Sequence, residues 1–155
     1  MTKLNLGKKI IIVCLGVFVA AACTKKPEPL THYTTPLTVG THKLWVEIMD
    51  TDAKREQGLS GREKLADNQG MYFNFSGTNQ QRPGFWMKDM KFNLDIIWIK
   101  NNIVVGITKN LEAPATASST LPVYYPPADI DTALEVNAGW AEKYNIRTGD
   151  MVTKK

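Results

Sequence analysis

Apolar and polar residues alternate in HKLWVEIMD: Leu44, Val46 and Ile48 share one face, and Trp45, Glu47 and Met49 the other. This is the period of a strand with one buried side. Asp50 and Asp52 close it, and Asp52 has the position to N-cap a short helix through Gln57, ended by Gly58. Ser60 and Glu63 have capping-box spacing and predict a further helical turn before Leu65. After a turn at 67–70, Met71, Phe73 and Phe75 line one face of a strand, and 76–83 is a polar loop. The apolar stretch GFWMKDMKFNLDIIWI, residues 84–99, then predicts two short strands broken near Lys91 to Asn93.

Asn101-Asn102 suits a two-residue hairpin turn, because Asn tolerates positive φ. The register it sets pairs Lys100 with Ile103, Trp98 with Val105, Ile97 with Gly106 and Asp95 with Thr108. One face then carries Ile96, Trp98, Ile103, Val105 and Ile107, and the other Ile97, Ile99 and Val104. With both faces apolar, the hairpin is expected to be central and covered twice. Gly106 leaves room for a close neighbour. Glu112 to Asp131 is Pro-rich and aperiodic, a length of chain that more often forms a functional rim or lid than a plain connection. A strand over Ala133 to Val136, a short helix from Ala138 capped by Asn137, and a last strand at Met151 and Val152 complete the chain. The sum is an α+β fold: a small single domain with a mainly antiparallel sheet, open to barrel-like closure, and short helices.

Ahead of this domain the pattern changes. Lys3, Lys8 and Lys9 precede an apolar run from Ile10 to Ala22, shorter than the ~20 residues a spanning helix needs. The run ends in AAAC at Cys23. That resembles a bacterial lipobox, with Ala20 where Leu is commoner. Residues 1–22 are therefore expected to be a lipoprotein signal peptide, Cys23 to carry the lipid, 23–36 to be a Pro-rich tether, and 37–155 to be the globular domain. The expected location is extracytoplasmic and membrane-anchored, in the outer membrane if the host has one. Cys14 would leave with the signal and Cys23 would be acylated, so the mature domain offers no thiol for a disulfide, a nucleophile or a metal.

Charge adds an exclusion. Setting Lys3, Lys8 and Lys9 aside from the 19 basic residues leaves 16 against 15 acidic ones, a formal +1, with the basic residues scattered. A nucleic-acid footprint is not present in this pattern. His42 is the one histidine of the 37–155 domain, so neither a metal site nor a Ser-His-Asp set is expected, and no cofactor is implied.

Four blocks stand in one order: REQGLSGREKL, GMYFNF, FWMKDM with NLDIIWI, and ALEVNAGWAEKYNIRTGD. Together they resemble the prokaryotic domain of unknown function 192 from about Leu44 to Val152. The resemblance implies a small β-rich domain and no particular activity. The chain departs from it at Asp89-Met90, where the family commonly has Asn-Thr.

Among residues able to carry chemistry, Asp95 begins a strand that is apolar on both faces, where burial raises a carboxyl's pKa unless a cation or a backbone donor compensates. Lys88 or Arg62 are candidate cations, and a structural salt bridge is the plainer alternative. Glu135 points away from the face of Leu134 and Val136. It could pair with Asp95 as glycosidase carboxylates do, or be simply solvated or ion-paired. Trp86, with Tyr124 and Tyr125 from the Pro-rich segment, could form an aromatic platform for a sugar or a peptide, against a plain core role for Trp86. The 137–139 turn could hold an anion at a helix N-terminus, with plain capping as the simpler reading. The leading expectation is a lipid-anchored, non-catalytic binding or accessory domain for an envelope glycan, peptide or protein. Its ligand set would be Arg62, Trp86, Lys88, Asp89, Asp95, Tyr124 and Tyr125. The alternative is a metal-independent hydrolase or lyase using Asp95 with Glu135, Lys88 or Arg62.

Overall fold

A computed structural model describes residues 32–116 and 120–155. The expected signal peptide, the lipidation site Cys23 and most of the tether lie outside the described residues. Strands β1 (Thr35–Val39), β2 (His42–Met49), β3 (Gln69–Asn74), β5 (Leu94–Lys100), β6 (Ile103–Leu111), β8 (Thr132–Asn137) and β9 (Val152–Lys154) form one sheet in the order β6-β5-β8-β3-β2-β1-β9. Every pairing is antiparallel except that of β2 with β3. The sheet curls into a half-barrel. At one end its two edges meet, where Ile103 bridges Met151 and Val152 N–H reaches Asn102 O at 2.8 Å. A separate ribbon pairs β4 (Phe85–Trp86) with β7 (Val123–Tyr124), and two short helices, α1 (Asp52–Gln57) and α2 (Trp140–Lys143), complete the domain. No described helix is long and apolar enough to cross a membrane.

The hairpin expected to be doubly covered supplies the centre. All of Leu94 to Ile99 is buried, because β5 lies between β6 and β8 and apolar clusters cover both faces. Leu94, Ile96 and Trp98 pack with Met71, Phe73 and Ala133 on one face. Ile97 and Ile99 pack with Leu134, Val136 and Trp140 on the other. The Asn101-Asn102 turn has both φ values positive, at 49° and 62°, and holds Lys100 opposite Ile103 as expected. Beyond that the expected register fails. An irregularity between Trp98 and Ile99 puts Trp98 opposite Gly106 and Ile97 opposite Ile107. One extra residue in a strand is the ordinary consequence of a bulge, which alternation alone does not reveal.

Gly106 does admit a close neighbour. A Cβ there would lie 2.5 Å from Pro127 Cγ and 3.4 Å from Trp98 Cδ1, so the Pro-rich segment is packed onto the sheet at this point. Gly106→Ala is expected to cost about 1–3 kcal/mol by overpacking, read as a lower urea midpoint with unchanged m-value.

Three local expectations are corrected. Thr51, not Asp52, caps α1, its hydroxyl accepting from Lys54 N–H at 3.3 Å. Ser60 to Glu63 forms turns rather than a helix, and Ser60 Oγ donates across to Lys88 O at 2.8 Å. Asn137 does not cap α2: its Nδ2 donates to Leu65 O, and Gly139, at φ 80°, precedes the helix. The domain also begins before the expected residue 37. Tyr33 packs against the core and β1 starts at Thr35.

Candidate functional site

A cavity of about 330 Å³ opens beside the cluster of Phe73, Phe75, Phe85 and Met90. One wall is α1 and the turn after it, and the other is β4 with the residues leading into it. DAKREQ has no buried residue, so apolar packing does not hold α1 in place. Polar links do. Arg55 Nη1 donates to Asn74 O at 2.7 Å, and the Arg55 guanidinium lies 5.4 Å from the centre of the Phe75 ring. The turn is fixed to the opposite wall by Ser60 Oγ on Lys88 O and by Gly61 N–H on Asp89 O at 2.9 Å. Asp89 makes that last contact at φ 55°, a region Asp and Asn tolerate better than most residues.

Glu135 forms part of the cavity lining and is 6% exposed. Register explains its position. Glu47 on β2, Met71 on β3, Glu135 on β8 and Ile96 on β5 stand in one row across the sheet. Glu135 is thus flanked by Met71 and Ile96, both at most 1% exposed. Burial alone pushes its carboxyl from the ordinary 4.5 up to about 8. Among the described residues no hydrogen bond or ion pair reaches it, so it is not ion-paired, and its carboxyl faces the cavity.

Asp95 points the other way. It pairs with Val136, one residue from Glu135 along β8, so the two carboxyls lie on opposite faces of the sheet and cannot act as a pair. Asp95 is fully buried; its Oδ1 accepts Asn110 N–H at 2.9 Å and its Oδ2 accepts Ala141 N–H at 3.1 Å. Ala141 belongs to the first turn of α2, which has no side-chain cap from Gly139. A carboxylate from β5 therefore supplies the cap. Among the described residues no cation pairs with Asp95: its partners are backbone N–H groups, and it caps the helix end, the simpler of the two readings of that turn.

The remaining candidates divide. Arg62 is committed elsewhere, with Nη1 donating to Tyr33 Oη at 2.8 Å and Nη2 lying 2.7 Å from Glu47 Oε2. Glu47 is two strands from Glu135, roughly 10 Å across the sheet. Lys88 and Asp89 are exposed and enter the site through their backbone carbonyls. Trp86 is 45% exposed at the cavity rim, so it is not core. Val123 stands opposite it on β7, and Tyr125, 62% exposed, lies two residues further along that chain. A Cβ on Gly84 would sit 2.6 Å from Val123 Cγ1 and 3.1 Å from Tyr125 Cε1, so glycine is what lets this ribbon form. Tyr124 pairs with Phe85 and turns inward against the core. Trp86 and Tyr125 thus share one face of the ribbon, and Tyr124, expected with them, lies on the other. Sequence reasoning missed Leu59, Phe85 and Met90 in the lining, and Arg55 at the mouth. Met90 stands where the resemblance has threonine. A helix with no large apolar residue, between a strand and a glycine, was the available signal for a rim.

The family model for DUF192 (Uncharacterized ACR) matches residues 35–154. No curated protein matches the chain. Two crystal structures are similar over most of their length, both with a TM-score of 0.67. A proposed transcription regulator from Sinorhizobium meliloti 1021 is 25% identical, over 79% of this chain and 95% of its own. A protein of unknown function from Novosphingobium aromaticivorans DSM 12444 is 28% identical, over 81% and 89%.

Proposed function

We propose that this chain, which belongs to the DUF192 family, is a non-catalytic binding domain that takes a small group of an envelope glycan, peptide or protein into the cavity beside α1. The observation that carries this is Glu135: buried polar groups have partners as a rule, and this one faces a cavity without one. A ligand that hydrogen-bonds to it recovers part of the desolvation cost that the free protein bears. At about 330 Å³, the cavity stands at the small end of ligand sites, the size of one side chain or part of a sugar. Trp86 at the rim, with Tyr125 on the same face of the ribbon, adds ring faces for what extends beyond it. The domain is held at the cell surface by lipid on Cys23. A role in transcription, as the Sinorhizobium relative is described, is not carried over, because the basic residues of this chain are scattered.

Binding is tested with full-length protein in detergent against peptidoglycan fragments and short peptides. Trp86→Ala is expected to weaken the best ligand about tenfold, while its unfolding free energy stays within ~0.5 kcal/mol, as for exposed positions. Absence of saturable binding by any fragment counts against the proposal. For the anchor, labelled palmitate is expected to enter the wild type and not Cys23→Ser, and equal labelling refutes it.

A second reading rests on the same carboxyl. A group that titrates near 8 is suited to general acid–base work at neutral pH, so Glu135 alone would serve a metal-independent hydrolase or lyase. Asp95, Lys88 and Arg62 have other partners or positions and do not join it. Turnover by the wild type that is abolished in Glu135→Gln would favour this reading over simple binding.

A further inference from the structure

We propose that the group taken by this cavity is an organic cation, an ammonium centre on an apolar or aromatic body, with Glu135 as its counter-ion. This rests on the binding reading above and narrows it. Three observations favour a cation over a neutral or anionic ligand. The first is the charge inventory of the lining, whose ionisable residues are Asp52, Arg55, Glu56 and Glu135. Arg55 Nη2 donates to Asp52 Oδ1 at 2.6 Å, which leaves two acids, Glu56 and Glu135, and no cation in surplus. An anion entering here finds no surplus cation, and an ammonium finds a carboxyl that can give up its proton to pair with it.

The second is the wall. Phe73, Phe75, Phe85 and Trp86 all line the cavity, and ring faces attract cations most strongly where water is excluded. Phe75 already has a guanidinium over its ring, that of Arg55. The third is the isolation of Glu135 from every other charge on the elements packed around it. On β2, Glu47 is engaged with Arg62, and His32 Nδ1 lies 3.4 Å from Glu47 Oε1. Asp95 on β5 faces the opposite side of the sheet and is bonded to backbone. α1 brings the Asp52–Arg55 pair and Glu56, and β3 brings Met71 and Phe73 to the cluster and no charged residue to this face. Among the described residues Arg55 and Arg62 are paired with other acids, and no ion pair reaches Glu135.

Binding then has a proton balance. Below the folded pKa of about 8, the Glu135 carboxyl loses its proton to solvent as the cation enters, and above it no proton is exchanged. Cation affinity rises about tenfold per pH unit towards that value and then levels. A neutral hydroxyl ligand, which uses the protonated carboxyl, shows the reverse and weakens above it.

Calorimetry on the full-length protein in nonionic detergent tests this. The probes are benzyltrimethylammonium, whose charge is independent of pH, and benzyl alcohol, titrated between pH 6 and 9 in two buffers of different ionisation enthalpy. The inference expects the cation to tighten about fiftyfold from pH 6 to 8, with nearly one proton released per cation at pH 6. Glu135→Gln, close in size and checked for native circular dichroism, is expected to lose that pH dependence and most of the cation's affinity while still binding benzyl alcohol. If benzyl alcohol binds and the cation does not, or the cation binds without pH dependence, the cation inference falls and the cavity reading stands. If neither probe binds, or Glu135→Gln changes the binding of neither, both fall.

Discussion

Glu135→Gln is expected to leave the domain about as stable as the wild type near pH 4.5 and to make it more stable by about 5 kcal/mol at pH 8 and above. The direction follows from where the proton sits. In the unfolded chain the Glu135 carboxyl ionises near 4.5, and in the folded protein burial holds the proton until about 8. Between these values the unfolded state binds fewer protons than the folded one, so the free energy of unfolding falls as pH rises, by about 1.4 kcal/mol per unit. The contribution is fully present below 4.5, lost progressively through the window, and level above 8. Glutamine keeps the shape and does not ionise, so its urea midpoint lacks this decline. A loss of this size is a large share of the 5–15 kcal/mol typical of small domains. It marks Glu135 as a residue costly to keep unless something outside the fold uses it.

Asp95→Ala is expected to have the opposite character, a loss of roughly 3–5 kcal/mol at neutral pH and a marginal or unfolded domain. The substitution strips the acceptor from two N–H groups, those of Asn110 and Ala141, at a position with no solvent access. Each unsatisfied buried donor costs about 1–3 kcal/mol. The first turn of α2 also loses the negative charge at its N-terminal end. Asp95→Asn keeps one acceptor oxygen and is expected to lose about half as much, measured by urea unfolding followed by circular dichroism. A loss of less than 1 kcal/mol in the alanine variant would contradict the capping role and return Asp95 to consideration as a functional group.

The contrast between these two acids shows what the sequence could and could not tell. The doubly buried hairpin was legible because apolar residues on both faces of Ile96 to Ile99 leave no solvent side. The turn at Asn101-Asn102 followed from local conformational preference. Alternation also placed Glu135 correctly, on the face away from Leu134 and Val136. What alternation could not supply was the cover on that face, since Met71 and Ile96 come from other strands and the cavity walls from α1 and β4. Asp95 drew attention because its neighbours are apolar, yet its acceptors are met by backbone groups that no sequence pattern marks. Lys88, Asp89 and Asp95, expected together in one ligand set, therefore separate into two exposed turn residues and one buried cap. The bulge after Trp98 and the glycine entry to α2 escaped for a related reason: each is set by what the chain must reach rather than by its own residues.

Carbon-13 NMR of the glutamate side-chain carboxyls reads directly whether Glu135 holds its proton in the folded cavity. The account predicts one resonance that titrates near 8, is absent in Glu135→Gln, and shifts when the cavity is occupied. A protein in which every glutamate titrates at about 4–5 would contradict it.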